Sequence, residues 1–229
     1  MSTRPIIRHQ PGSPTIKPAG FTLLELLSVI AVIGILAALL LPGLGAARRS
    51  ANRARTRVQF SQWTAAIESY RSEYGCYPVF HGSGLVNPPG QNIDPAALHL
   101  FHDVLAARRR DGSVLPVYTS GTDPLFPEAQ NRKLIPFHAY SAAEFSGADS
   151  AAPNLLRDAF DNTEIAVLVD KNLDGTINGA DYPGGWPAVG GFRPDGTDIP
   201  AAGVRAGVIF YAPAPEATVA APVFIFSWK

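Results

Sequence analysis

The chain has 229 residues, with 19 Lys and Arg against 19 Asp and Glu, so its formal charge is zero. That length suits one domain with an appendage or two small domains, the 46% hydrophobic content suffices for a core, and the charge balance excludes a strongly basic nucleic-acid binder. One cysteine, Cys76, excludes an intramolecular disulfide framework and a zinc site of several thiolates. Gly and Pro, 21 of each, follow no period and mark a loop-rich chain.

Residues 1–20 carry Arg4, Arg8 and Lys17, no acid, and the prolines Pro5, Pro11, Pro14 and Pro18. Without apolar periodicity, this segment is expected to be disordered. Residues 21–41 then read FTLLELLSVIAVIGILAALLL, with Glu25 the only charge. As a helix the run would span about 31 Å, matching a hydrocarbon core of about 30 Å. A cleaved secretory signal would be shorter and end at a small-x-small site, whereas this run enters Pro42 and a further helical pattern, so a retained membrane anchor is expected. Glu25 is costly inside a membrane helix and less so near its end. It is either an interfacial residue favoured by the helix dipole or the partner of a positive group on a neighbouring chain.

These residues carry a family resemblance. Gly20-Phe21-Thr22-Leu23-Leu24-Glu25, after a basic leader and before an unbroken apolar run, resembles the type III signal of type IV pilins and type II secretion pseudopilins. The resemblance spans residues 17–42. It implies cleavage between Gly20 and Phe21 by prepilin peptidase and N-methylation of Phe21. It also implies assembly in which Glu25 neutralises the positive N-terminus of an adjacent subunit. The apolar segment would anchor the free subunit and then form the filament core.

Beyond Pro42, Ala47, Ala51, Ala54 and Val58 recur at helix spacing, and so do Phe60, Trp63, Ile67, Tyr70 and Tyr74. The second stripe is wide and aromatic, so a sheet is expected to pack on it. Gly75 should end the helix and Pro78 prevent its continuation. A helix over residues 21–74 would reach about 81 Å, natural for a lollipop-shaped subunit. Arg48, Arg49, Arg53, Arg55 and Arg57 form a basic run without a nucleic-acid-binding module, so no nucleic-acid partner is expected. The run competes with the leader's bases, so charge leaves the membrane orientation open. The resemblance places residues 43–229 outside the cytoplasmic membrane. The segment ending Gly75-Cys76-Tyr77-Pro78 is also similar to the helix end of secretion pseudopilins.

Asp94-Pro95 reads as a helix start, leading to a helix over 96–110 with Leu98, Phe101 and Leu105 on one face. His99 and His102 on that helix are read as structural, because no third metal ligand stands at a fixed spacing. Residues 111–154 hold turns and short apolar pieces without a legible order. Asp158-Ala159-Phe160-Asp161-Asn162 resembles the Asp-Pro-Trp-Gly-Asn segment of major pseudopilins, with departures at its three middle positions. Glu164–Val169 reads as a strand, as do Val204–Tyr211 and Val219–Ser227. The closing Ser227-Trp228 resembles the ending of some pseudopilins.

Residues 170–181 fit D-x-N-x-D-G-x5-D, the spacing of an EF-hand-type calcium loop. Asp170, Asn172 and Asp174 offer alternating side-chain oxygens and Gly175 permits the sharp turn. Thr176 would give its carbonyl, Asn178 a direct or water-borne contact, and Asp181 stands for the usual bidentate Glu. A strand precedes the loop and Tyr182-Pro183-Gly184-Gly185 follows it, so no exiting helix is expected. Ca2+ is the expected ligand, and a metal-free Asp/Asn/Gly turn is the other reading.

The expected fold is α+β and pilin-like: a long N-terminal helix packed on a small antiparallel sheet. Its expected parts are a leader (1–20), a transmembrane and filament-core segment (21–42), an extracytoplasmic helix (43–75) and a globular domain (76–229). No phosphate loop, G-x-S-x-G elbow or H-E-x-x-H occurs, so no enzyme is expected. The resemblance implies a single-pass pseudopilin of the bacterial inner membrane with a periplasmic globular domain. It would be a subunit of the homo-oligomeric filament of a type II secretion system. Its implied partners are prepilin peptidase, minor pseudopilins, the inner-membrane assembly platform and the membrane itself. A type IV pilus subunit is the alternative, and a membrane-anchored extracytoplasmic enzyme the remote one.

Overall fold

The computed structural model describes residues 20–80 and 82–229, with the side chains of 39–43 outside the description. Of the expected leader, residues 1–20, all but Gly20 lie outside the described residues. The chain divides into two compact units, Met1–Ala47 and Arg48–Lys229.

Helix α1, Leu23–Tyr74, begins in the first unit and ends in the second. In the first unit its described apolar side chains are exposed, among them Leu23, Leu24, Ile30 and Ile33. In the second unit one face is covered: Thr56, Phe60, Trp63, Ala66, Ile67 and Tyr70 are buried. The aromatic stripe therefore does pack on a sheet, while Ala47, Ala51, Ala54 and Val58 stay exposed. Gly75 ends the helix at φ 76°, its N–H donating to the Arg71 carbonyl.

The sheet has three antiparallel strands in the order β1-β2-β3: Ala166–Val169, Val208–Pro213 and Phe224–Phe226. All three expected strands are present, though β2 begins four residues later than expected and β3 is shorter. β1 is buried throughout, because α1 covers one face and the loops after β1 cover the other. Phe210 stacks on Phe60 at 5.4 Å and lies 5.6 Å from Trp63. The second face gathers Ala166, Leu168, Ile177, Tyr182, Ile199, Ile209 and Tyr211.

The expected helix over 96–110 is corrected to the shorter α2, Leu100–Ala106, capped by His99. Asp94-Pro95 instead closes a turn, with Ala97 N–H on the Asp94 carbonyl. Arg110 fixes that turn by donating to the carbonyls of Asn92, Asp94, Ala97 and Asn154. These side-chain bonds leave the turn's carbonyls no reason to enter a helix. The two histidines are both buried and hydrogen-bonded within the fold. His99 Nδ1 accepts from His102 N–H at 3.3 Å, so Nε2 carries the proton and donates to Asn87 Oδ1 at 2.8 Å. His102 Nδ1 meets Asp103 Oδ1 at 2.9 Å, and Arg109 donates to Asp103 Oδ2 at 2.6 Å.

The middle region is ordered by polar contacts to α1 and by the short helix α3, Pro127–Gln130. Tyr70 donates to the Gln130 carbonyl and Tyr74 to Asn131 Oδ1. Glu144 closes a 3-10 turn, Ala142–Glu144, and accepts from Trp63 Nε1 at 2.9 Å.

Candidate functional site

Gly20 and Phe21 lie just before α1, and both are exposed. Thr22 and Glu25 form a reciprocal cap. Thr22 donates to Glu25 Oε2 through its N–H at 2.9 Å and its hydroxyl at 2.8 Å, and Glu25 N–H donates to Thr22 Oγ1 at 3.2 Å. This satisfies backbone donors that the first helical turn would otherwise leave unpaired. Glu25 thus stabilises the helix start within its own chain, and Oε1 has no bond among the described residues. The role of Thr22 was missed, although T-x-x-E is the sequence signature of such a cap.

Among the described residues no helix is long and apolar enough to cross a membrane. The described apolar side chains of α1 cover residues 23–38, short of the about 20 residues a span needs. In the sequence the run continues through Leu39, Leu40 and Leu41, whose side chains lie outside the description.

The loop 170–181 leaves the end of β1. Asp170 and Asp181 are buried, at 1% and 4% exposure, while Asp174 is exposed. Asp170 accepts from the N–H groups of Asp174 (3.2 Å) and Gly175 (2.7 Å). Asn172 Oδ1 accepts from Asp174 N–H and Asp174 Oδ1 from Thr176 N–H. Asp181 accepts from the N–H groups of Lys171, Asn172 and Asn178. Asn178 Oδ1 takes the Ala180 N–H. Gly175 has φ 85°, the turn that its position was expected to require. Midway, Ile177 and Val204 exchange two backbone bonds of 2.9 Å.

Every side chain expected to ligate therefore accepts from the loop's own backbone N–H groups, with Asp170 and Asp181 buried and Asn172 and Asp174 exposed. Among the described residues no group of three or more His, Cys, Asp and Glu is gathered to hold a metal ion. The donor chemistry nevertheless fits a hard cation: three carboxylates, two Asn amides and the Thr176 carbonyl are all oxygen donors. Among the described residues none of the three carboxylates pairs with a Lys or Arg; Lys171 Nζ goes instead to the Asp181 carbonyl at 2.9 Å. The two buried carboxylates, Asp170 and Asp181, are compensated by N–H groups alone.

The turn at 158–162 docks on α1, with Ala159 N–H donating to buried Thr56 Oγ1 at 3.3 Å. Proline, which the resembled segment has at this position, could not donate that bond. Asp161 stands at φ 63°, so it fills a left-handed position that glycine adopts freely and Asp tolerates. Asp158 is 3% exposed. Its Oδ1 accepts from Phe160 and Asn162 N–H, while Oδ2 is buried without a partner. Burial pushes its carboxyl up to about 6, against the lowering effect of the Asn162 and Phe160 bonds.

This burial has a pH consequence. The folded state holds the Asp158 proton more tightly than the unfolded chain, so stability falls as pH rises from about 4 through about 6. Asp158→Asn is expected to gain about 1–2 kcal/mol at pH 7–8, since a shift of about two units is worth about 3 kcal/mol and the buried amide N–H2 offsets part of it. That corresponds to about 3–6 °C in Tm. Thermal melts should show the gain shrinking toward pH 4; an equal gain at both ends would remove ionisation as its cause. His99 acts oppositely, since burial holds its imidazolium pKa well below the usual value. Its contribution is lost as pH falls below the unfolded value of about 6.5.

A family model described as the prokaryotic N-terminal methylation motif matches residues 17–41. No curated protein and no solved structure matches the chain. The chain is thus type IV pilin-like at its N-terminus, and α1 with its antiparallel sheet fits an α+β pilin-like fold. Such a motif implies processing by prepilin peptidase, a membrane-anchored N-terminus and assembly into a filament.

Proposed function

We propose that the chain is a pseudopilin, a structural and non-catalytic subunit of the periplasmic filament of a type II protein secretion system. Prepilin peptidase cleaves between Gly20 and Phe21, and Phe21 is methylated. The subunit waits in the inner membrane as a single-pass protein and assembles through its N-terminal helix on the inner-membrane platform with minor pseudopilins. The observation that carries this reading is the methylation-motif match at residues 17–41, at the entry to a helix whose later part packs on an antiparallel sheet. Secretion is favoured over a pilus because Cys76 is a free, exposed thiol and the sequence has no second cysteine for a C-terminal disulfide loop.

A strain lacking the gene tests the choice. Loss of specific exoproteins with surface fibres intact supports the secretion pseudopilin. Loss of fibres with an unchanged secretome makes the chain a type IV pilus subunit instead.

The loop 170–181 supplies a calcium site in this reading. Asp170, Asn172, Asp174 and Asp181 hold Ca2+ with side-chain oxygens, Thr176 with its carbonyl, and Asn178 directly or through water. The ion neutralises the buried carboxylates and ties the loop to β1. Binding only the folded state, it adds stability by mass action, about 2.7 kcal/mol at a hundredfold excess over Kd. Calcium should therefore raise the Tm of the wild type by about 5–10 °C. The double variant Asp174→Ala, Asp181→Ala should melt at one temperature with calcium or EGTA. A wild-type Tm indifferent to calcium would end the calcium reading and leave the metal-free turn.

A further inference from the structure

An EF-hand-type loop normally leaves its last ligand on an exiting helix, and this loop has none: Tyr182 and a turn follow Asp181. Something else must keep the first and last ligands together. The outer edge of β1 shows what does. In the ladder, Asp170 N–H bonds the Gly207 carbonyl, so the N–H of Val169 faces away from β2. Two residues earlier the same edge is covered, because Val167 N–H bonds the Gly84 carbonyl. At Val169 the strand partner has ended, and the Tyr182 hydroxyl takes the N–H at 2.8 Å. It stands 3.4 Å from the Val169 carbonyl, to which it donates.

The ring is held as firmly as the hydroxyl. Tyr182 is 8% exposed and packs 5.9 Å from Trp186. The Lys171 ammonium lies 3.9 Å from its ring centroid while donating to the Asp181 carbonyl. Lys171 N–H donates to Asp181 Oδ1 at 2.9 Å. The residues just before Asp170 and just after Asp181 are thus joined directly, and Lys171 links the Tyr182 ring to Asp181.

We propose that Tyr182 is a positioning residue for the cation site: its hydroxyl on the Val169 backbone latches the neck of the loop. The latch holds Asp170 and Asp181 side by side before the ion arrives, doing the work of the missing helix. The inference rests on the calcium reading above. A latch at the neck raises the fraction of loops competent to bind, and apparent affinity scales with that fraction.

Tyr182→Phe keeps the ring, its packing and the Lys171 contact, and removes only the hydroxyl. With the full-length chain in detergent, calcium chloride titration should give a Kd about tenfold weaker than wild type, the scale of one lost buried hydrogen bond. A variant with wild-type Kd and a lower Tm in EGTA would make Tyr182 merely structural, overturning the latch and leaving the calcium reading intact. A wild type that binds no calcium overturns both. Should Tyr182→Phe fail to fold, hydrogen exchange in the wild type gives the same decision. The latch predicts that calcium slows exchange at Val169 together with Lys171 and Asn172. Slowing at Lys171 and Asn172 with Val169 unchanged overturns it.

Discussion

Gly203→Ala is expected to cost several kcal/mol and to lower the Tm by about 10 °C or more. Gly203 stands at φ 82°, where a side chain costs about 1–2 kcal/mol. Its Cβ would also fall 2.5 Å from the Ile177 carbonyl oxygen and 2.8 Å from both Asn178 Cβ and Thr176 Cγ2. The first of these neighbours is backbone, and its oxygen receives the Val204 N–H. Making room means breaking the Ile177–Val204 pair, the tie between loop 170–181 and the chain leading to β2. Gly191→Ala separates the two causes. Gly191 has φ 77° and open space at its Cβ, so it should lose only about 1 kcal/mol. Thermal melts of both variants read the difference. If the two lose the same amount, the close approach at Gly203 is not what holds it to glycine. In wild-type background, Gly203→Ala should also weaken calcium binding, because Thr176 and Asn178 move with Ile177.

The sequence showed most of what period and composition can carry. The stripe Phe60, Trp63, Ile67 and Tyr70 marked the buried face of α1 because burial on one side imposes the helical repeat. β1 was legible because Ile165–Val169 is an unbroken apolar run, as a strand covered on both faces requires. The sharp turn at Gly175 was legible because its place in the spacing of residues 170–181 calls for a positive φ, and it stands at φ 85°. What failed was decided by contacts far along the chain. Asp94-Pro95 has the local form of a helix start, yet Arg110 from beyond the helix captures the carbonyls there and His99 becomes the cap. The region 111–154 has no period because Gln130, Asn131 and Glu144 order it through single polar bonds to α1 and to Val79. Tyr182 escaped notice because the motif ends one residue earlier, and only the free edge of β1 reveals its use.

Glu25→Ala should leave the subunit in the membrane and remove its filaments. Glu25 is the only charge in residues 21–41, so alanine makes the anchor more apolar and membrane fractionation should find it unchanged. Assembly is different. The cleaved chain begins with a positive amine on Phe21, and packing helices into a bundle would bury that amine. In the single chain Glu25 engages Thr22 through Oε2 alone, leaving Oε1 available to a neighbour's amine without dismantling the cap. Removing one member of a buried pair costs about 3–5 kcal/mol, a factor of about a hundred to a few thousand in each subunit's affinity for the growing end. Filament yield should then fall below detection. Glu25→Gln distinguishes charge from capping, since its amide oxygen can still accept from Thr22 but cannot neutralise the amine. The pairing reading expects glutamine to fail nearly as badly as alanine. A glutamine subunit that assembles like wild type would show that the cap, not the ion pair, is what assembly needs from position 25.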